Sequence, residues 1–245
     1  MTVSLGRRVA AEAVGTGLLV TVVVGSGIQA TELSRDVGVQ LLANSLATVF
    51  GLGVLITLLG PVSGAHFNPA VTLAAWFTGR RTGAGPSLRD VAAYVPAQIA
   101  GAIGGAVLAD AMFAEPLVRF STHDRSAGHL WLGEVVATGG LILLVLGLER
   151  VGRASLAPTA VASYIGAAYW FTSSTSFANP AVTIGRTFTD TFAGIAPASV
   201  APFIGAQLLG AVLGLAAVAV VYGGPPARTA DDLVVPYAEP EPVSS

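Results

Sequence analysis

The chain contains no cysteine and no lysine, so its twelve positive charges are all arginines. Without cysteine there is no disulfide, no thiolate metal site and no thiol nucleophile. Charge of either sign is scarce: Asp, Glu, Lys and Arg make up 11% of the 245 residues, against about 25% in typical soluble domains. The net charge is −2, and nothing supplies the basic face that a nucleic-acid partner requires. What is present instead is apolar, with 53% hydrophobic residues, a mean hydropathy of +0.73 and 30 glycines. This composition excludes an ordinary soluble domain. It predicts helices packed backbone to backbone in a lipid bilayer, where small residues replace the hydrophobic effect as the packing device.

A membrane-crossing helix needs roughly 20 apolar residues to cover about 30 Å of hydrocarbon at about 1.5 Å per residue. Six stretches meet that requirement, at 9–29, 38–59, 88–110, 131–148, 154–172 and 197–222. Arg7 and Arg8 ahead of the first run raise the alternative of a signal peptide, but Glu12 would then sit in its apolar core and the run is long. Two further apolar segments, 63–77 and 176–188, are too short to cross and are expected to dip in and return. In a six-span arrangement Arg7, Arg8, Arg80, Arg81, Arg89, Arg150, Arg153 and Arg228 fall on one side, against Arg35, Arg119, Arg125 and Arg186 on the other. That bias predicts a multi-pass protein of a bacterial-type plasma (inner) membrane with both termini in the cytoplasm.

The chain also repeats itself. Asn68-Pro69-Ala70-Val71-Thr72 recurs 111 positions on as Asn179-Pro180-Ala181-Val182-Thr183, each copy within one of the short non-crossing segments. Glu12 followed by Gly15-Thr16 answers to Glu134 followed by Ala137-Thr138, and Gln98 with Gly101 answers to Gln207 with Gly210. Each half therefore holds three spans and one dipping segment, and an odd span count inserts the second half upside down relative to the first. The expected organisation is a cytoplasmic N-terminus at 1–8, a first repeat at 9–115, an extracellular connection at 116–130, a second repeat at 131–222, and a disordered, Pro- and acid-rich cytoplasmic tail at 223–245.

With the paired motif and the run Ser63-Gly64-Ala65-His66-Phe67-Asn68-Pro69-Ala70-Val71-Thr72, the sequence resembles the aquaporin, or major intrinsic protein, family over about 9–222. The resemblance implies an all-α membrane protein: a right-handed bundle of six transmembrane helices plus two re-entrant half-helices that meet at mid-membrane. It also implies one pore per subunit and a homotetramer. Residue chemistry points the same way. Proline is favoured at the first position of a helix and asparagine just before it. If Asn68 and Asn179 cap their own half-helices through the side-chain oxygen, their NH₂ groups are left to bind the oxygen of a neutral solute. Each half-helix directs about half a positive charge at the same place, which opposes cations and a hydrated proton. The bland alternative is that both asparagines are only caps in re-entrant loops.

Glu12 and Glu134 are intramembrane acids, costly unless they face the interior and find partners. The resemblance implies that they support the irregular backbone leading into the half-helices. The competing reading is a proton relay in a proton-coupled secondary transporter. His66, two residues before Asn68, is read as a loop brace rather than a metal ligand.

The family sets its selectivity largely at a ring of four positions on the extracellular side of the motifs, and typical members have an arginine three residues after the second asparagine. Here that residue is Val182, and counting by the family's spacing adds Thr48, Ala167 and Ser176. The aspartate that glycerol-conducting members carry next is replaced by Thr183. Small, uncharged residues at all four positions predict a wide, arginine-free ring without strict water selectivity. Arg186, one turn beyond Val182, either stands at the outer mouth, pairs with Asp190 or holds backbone carbonyls. The stretch 176–195 resembles a bacterial branch of the family with valine at the arginine position, associated with passage of arsenicals. The expected activity is passive conduction of water and small neutral solutes, glycerol-like polyols and metalloid hydroxides such as arsenite among them. No cofactor, metal site or catalytic constellation such as a Gly-x-Ser-x-Gly elbow is visible.

Overall fold

The computed structural model describes residues 3–80 and 85–223. Apart from Gly223, the expected tail lies outside the described residues, as do Arg81 and Arg228 of the orientation count. Among the described residues five helices are long and apolar enough to cross a membrane: α1 (Leu5–Leu33), α2 (Val37–Ser63), α4 (Leu88–Met112), α5 (Gly128–Arg150) and α8 (Pro197–Tyr222). The fifth span, expected as one helix over 154–172, is a 3₁₀ turn at Ala154–Leu156 followed by α6 (Ala157–Phe171) of 15 residues. Pro158 in the first turn explains that break, since its ring fixes φ and removes a donor. Fifteen residues rise only roughly 22 Å, short of the hydrocarbon thickness, so the 3₁₀ turn completes the crossing. The two dipping segments carry α3 (Pro69–Gly79) and the six-residue α7 (Pro180–Gly185), the latter followed by a 3₁₀ turn at Arg186–Phe188. Among the described residues all regular structure is helical.

Helices α1–α4 and α5–α8 repeat one arrangement, with α1 packed along α4 and α5 along α8. Glycines make these two crossings possible. A Cβ at Gly101 or Gly105 of α4 would lie 2.1 Å from the backbone oxygen of Ala13 or Gly17 in α1. In the other half, a Cβ at Gly210 or Gly214 of α8 would lie 2.5 Å from the oxygens of Val135 and Gly139 in α5. Each pair is a G-x-x-x-G step, which brings two backbones into contact where lipid offers no hydrophobic drive. The opposite faces are apolar and outward: Leu42, Leu46, Phe50, Val54 and Leu58 are all exposed along α2. At spacings of four they form one stripe, suited to acyl chains or to another subunit.

Local chemistry steers the chain into the half-helices. Gly64 ends α2 in the left-handed region at φ +89°, where a side chain would be strained. The chain then runs irregularly through 64–67 and enters α3 at Asn68, whose Oδ1 accepts from Ala70 N at 2.9 Å, with Pro69 in the first turn. Asn179 does the same for α7, accepting from Ala181 N at 3.0 Å and Val182 N at 3.2 Å.

Candidate functional site

The two irregular segments are held by carboxylates, and the two sets of bonds match atom for atom. Glu12, fully buried in α1, accepts from Ser63 Oγ at 2.6 Å, His66 N at 3.0 Å, Phe67 N at 2.7 Å and Gln98 Nε2 at 2.7 Å. Glu134, fully buried in α5, accepts from Ser174 Oγ at 2.6 Å, Phe177 N at 2.9 Å, Ala178 N at 2.8 Å and Gln207 Nε2 at 2.6 Å. Each glutamine also donates to the threonine of its half-helix, Thr72 at 3.0 Å and Thr183 at 2.8 Å. An ionised carboxyl offers about four acceptor positions and no donor, so each glutamate is occupied by its loop. The support is needed because Ala65, Phe67, Ser176 and Ala178 sit at φ between +48° and +52°. Such left-handed conformations cost non-glycine residues of order 1 kcal/mol each and persist only where the surroundings over-determine them.

At the meeting point of the half-helices, Asn68 Nδ2 donates to Ala178 O and Asn179 Nδ2 donates to Phe67 O, both at 2.8 Å. One N–H of each amide is thus committed across the junction, and the second N–H of each has no partner among the described residues. Both asparagines line a cavity of about 70 Å³. The wall beside them contains Ala65, His66, Ser176 and Phe177, whose carbonyl oxygens accept no hydrogen bond among the described residues. The lining also contains apolar side chains, Leu52, Ile56, Val145 and Val161 among them. A small space lined by both hydrogen-bonding groups and hydrocarbon suits a small neutral solute that carries hydroxyls.

Of the ring expected from the sequence, Thr48, Ser176 and Val182 line the cavity. Ala167 does not: it is exposed on the outer face of α6, and its assignment is corrected here. Ile165 and Tyr169 of α6 line the cavity instead. Residues two apart on a helix point about 200° apart, and the count back from Asn179 crosses the irregular segment after α6, so fixed spacing lands on the wrong face. The Tyr169 hydroxyl lies 3.1 Å from Thr48 Oγ1, while Ser176 Oγ is sealed without a partner. Tyr169 was missed by counting, although a tyrosine one turn beyond an apolar residue on a short apolar span is a visible signal.

None of the four counted positions is an arginine, but Arg186 also reaches the cavity wall. Arg186 is buried, lines the cavity and places its guanidinium 3.5 Å from the Phe177 ring centre. It is bonded through Nε to Ala193 O. Asp190, its expected i,i+4 partner, faces Arg119 at 3.3 Å instead, because α7 ends at Gly185 and the helical spacing is lost. Gly185 is pressed against α4, where a Cβ would meet Ala102 O at 2.6 Å. His66 Nδ1 lies 3.1 Å from Thr72 Oγ1, within the bracing network. Among the described residues no group of three or more His, Cys, Asp or Glu is placed to hold a metal ion.

The family model for the major intrinsic protein family matches residues 1–175 of this chain. The chain is 53% identical over 212 residues to the aquaglyceroporin AqpS of Rhizobium meliloti (strain 1021), covering 86% of this chain and 88% of that one. This chain belongs to the major intrinsic protein family. As in that family generally, it is a membrane channel and not an enzyme. It is also 32% identical over 178 residues to the propanediol uptake facilitator PduF of Citrobacter freundii, covering 62% of this chain and 63% of that protein. Among solved structures, the aquaglyceroporin from Plasmodium falciparum matches with a TM-score of 0.65 at 23% identity, covering 89% of this chain and 97% of that one. That likeness establishes the fold of this multi-pass protein as aquaporin-like.

Proposed function

We propose that this chain is a passive channel for water and small neutral solutes, glycerol-like polyols included. The observation that carries the proposal is the pair of asparagines meeting over a cavity with one free N–H each, backed by carbonyls without protein donors. Relatives named as an aquaglyceroporin and a propanediol facilitator support that solute class. The selective ring is assigned to Thr48, Tyr169, Ser176 and Val182. Metalloid hydroxides such as arsenite fit the same description, being small, neutral and rimmed with hydroxyls. The functional unit is a homotetramer with one pore per subunit and both termini on the cytoplasmic side, as the arginine bias implies. Glu12 and Glu134 act as supports rather than proton carriers, since their acceptor positions are taken up by the loops.

The test is a panel of solute permeabilities in proteoliposomes, read by stopped-flow light scattering. Water, glycerol and undissociated arsenite are expected to cross faster than in protein-free vesicles. Passage of water alone would refute the wide ring; passage of none would refute the channel.

A further inference from the structure

Arg186 and Arg125 come from different parts of the chain and are held alike. Arg186 Nε donates to Ala193 O and Arg125 Nε donates to the next carbonyl, Gly194 O. Their guanidinium carbons lie 3.5 Å and 5.0 Å from the centre of the same ring, Phe177. Neither is joined to a carboxylate: the ion pairs among the described residues are Arg8 with Asp90 and Arg119 with Asp190. Asp124, next to Arg125 in the chain, accepts from Ser126 N and Ser199 Oγ. No carboxylate lines the cavity either.

Among the described residues the terminal nitrogens of Arg186 have no hydrogen-bond partner. Arg186 itself lines the cavity. A guanidinium withdrawn from bulk water and left without a carboxylate is costly unless something else occupies its donors. The contents of the cavity, water or the oxygens of a passing solute, are placed to do so. A fixed cation at a narrow point with apolar walls also raises the barrier to any other cation, because the low dielectric leaves it poorly screened.

We propose that Arg186 is the specificity-determining residue of the constriction, supplying from the turn after the second half-helix the fixed charge and N–H donors that Val182 lacks. Arg125, behind Phe177, reinforces the field. The pore then excludes cations while offering hydrogen bonds to hydroxyl oxygens, so it is wide without being leaky to ions. This inference rests on the channel reading above.

The experiment uses the full chain in proteoliposomes, measuring sodium permeability by dissipation of an imposed diffusion potential and glycerol permeability in the same vesicles. For Arg186→Gln the sodium-to-glycerol permeability ratio is expected to rise at least about tenfold, the scale on which fixed charge in a cleft acts on ions. Val182→Arg combined with Arg186→Gln should return the ratio toward that of the native chain. Arg125→Gln, at a partly exposed side chain, should give a smaller rise and decides the matter if Arg186→Gln aggregates. An unchanged ratio in the Arg186→Gln vesicles, or in the Arg125→Gln vesicles where that variant is the one available, overturns the inference. Absence of glycerol flux in the native chain is a different result and overturns the channel reading itself.

Discussion

Single residues carry most of the chemistry, and the paired glutamates are where it can be tested most simply. Each accepts four hydrogen bonds from its loop and from a glutamine on a neighbouring helix. Glu134→Gln turns a donor toward donors, so the variant should lose about 2–3 kcal/mol of stability, seen as a lower unfolding midpoint in detergent; an unchanged midpoint would contradict the support role. On the wall, Ala167→Ser should leave glycerol flux unaltered because residue 167 faces outward, whereas Tyr169→Ala should change it. Equal effects would restore the counted assignment. Val182→Arg should cut glycerol flux more than water flux by narrowing the ring; a parallel fall in both would remove Val182 from the constriction. The asparagines, glutamates and glutamines were legible in sequence because the repeat marks them twice. Counting places Ala167 on the wrong face and the sequence leaves Arg186 between three readings, because each depends on the irregular backbone beside a helix end. The count to residue 167 runs back across the irregular segment after α6, while α7 stops at Gly185 and the long Arg186 side chain reaches the cavity and a loop carbonyl.

Elements fit together through backbone contacts and through the loop that covers the second half-helix. The crossing of α1 and α4 depends on Gly105, where a Cβ would lie 2.1 Å from Gly17 O, whereas a Cβ at Gly104 would meet nothing within 4 Å. Gly105→Ala should therefore destabilise by about 1–3 kcal/mol through overpacking, while Gly104→Ala should be neutral or slightly stabilising. Thermal unfolding of the two variants compares them directly, and equal midpoints would contradict the close crossing. The α4–α5 connection lies over the 3₁₀ turn after α7, with Arg119 N on Phe188 O at 3.1 Å and Ser121 N on Thr187 O at 3.0 Å. Asp190 fastens it by accepting from Thr122 N at 2.8 Å, and this bond, with the Thr122 hydroxyl and Arg119, holds its carboxyl below the usual range. A depressed folded-state pKa contributes above the unfolded value and is lost as pH falls through the folded one. Loop protection in hydrogen exchange should thus hold from neutral pH down to about pH 4, near the ordinary Asp value, and weaken below it. Loss of protection already at pH 6 would contradict this fastening. The spans and half-helices were readable from apolar length and the duplicated motif. The split of the fifth span into a 3₁₀ turn and a short helix was not, because hydropathy does not register a change of helical type.

At the scale of the whole molecule, two inverted halves place two half-helices nose to nose and leave a partly polar cavity at their junction. Apolar stripes such as that along α2 face outward, which fits both lipid and the neighbouring subunits of the proposed homotetramer. Its mass in detergent, by light scattering, should be that of four chains; a monomer would remove that assembly. The central claim is passive conduction through the cavity rather than carriage coupled to Glu12 or Glu134. Glycerol entry into proteoliposomes, followed by stopped-flow across a range of gradients with and without a protonophore, tests it most directly. The account predicts a rate that grows in proportion to the gradient and ignores the protonophore. Flux that saturates and stops when the proton gradient collapses would contradict it.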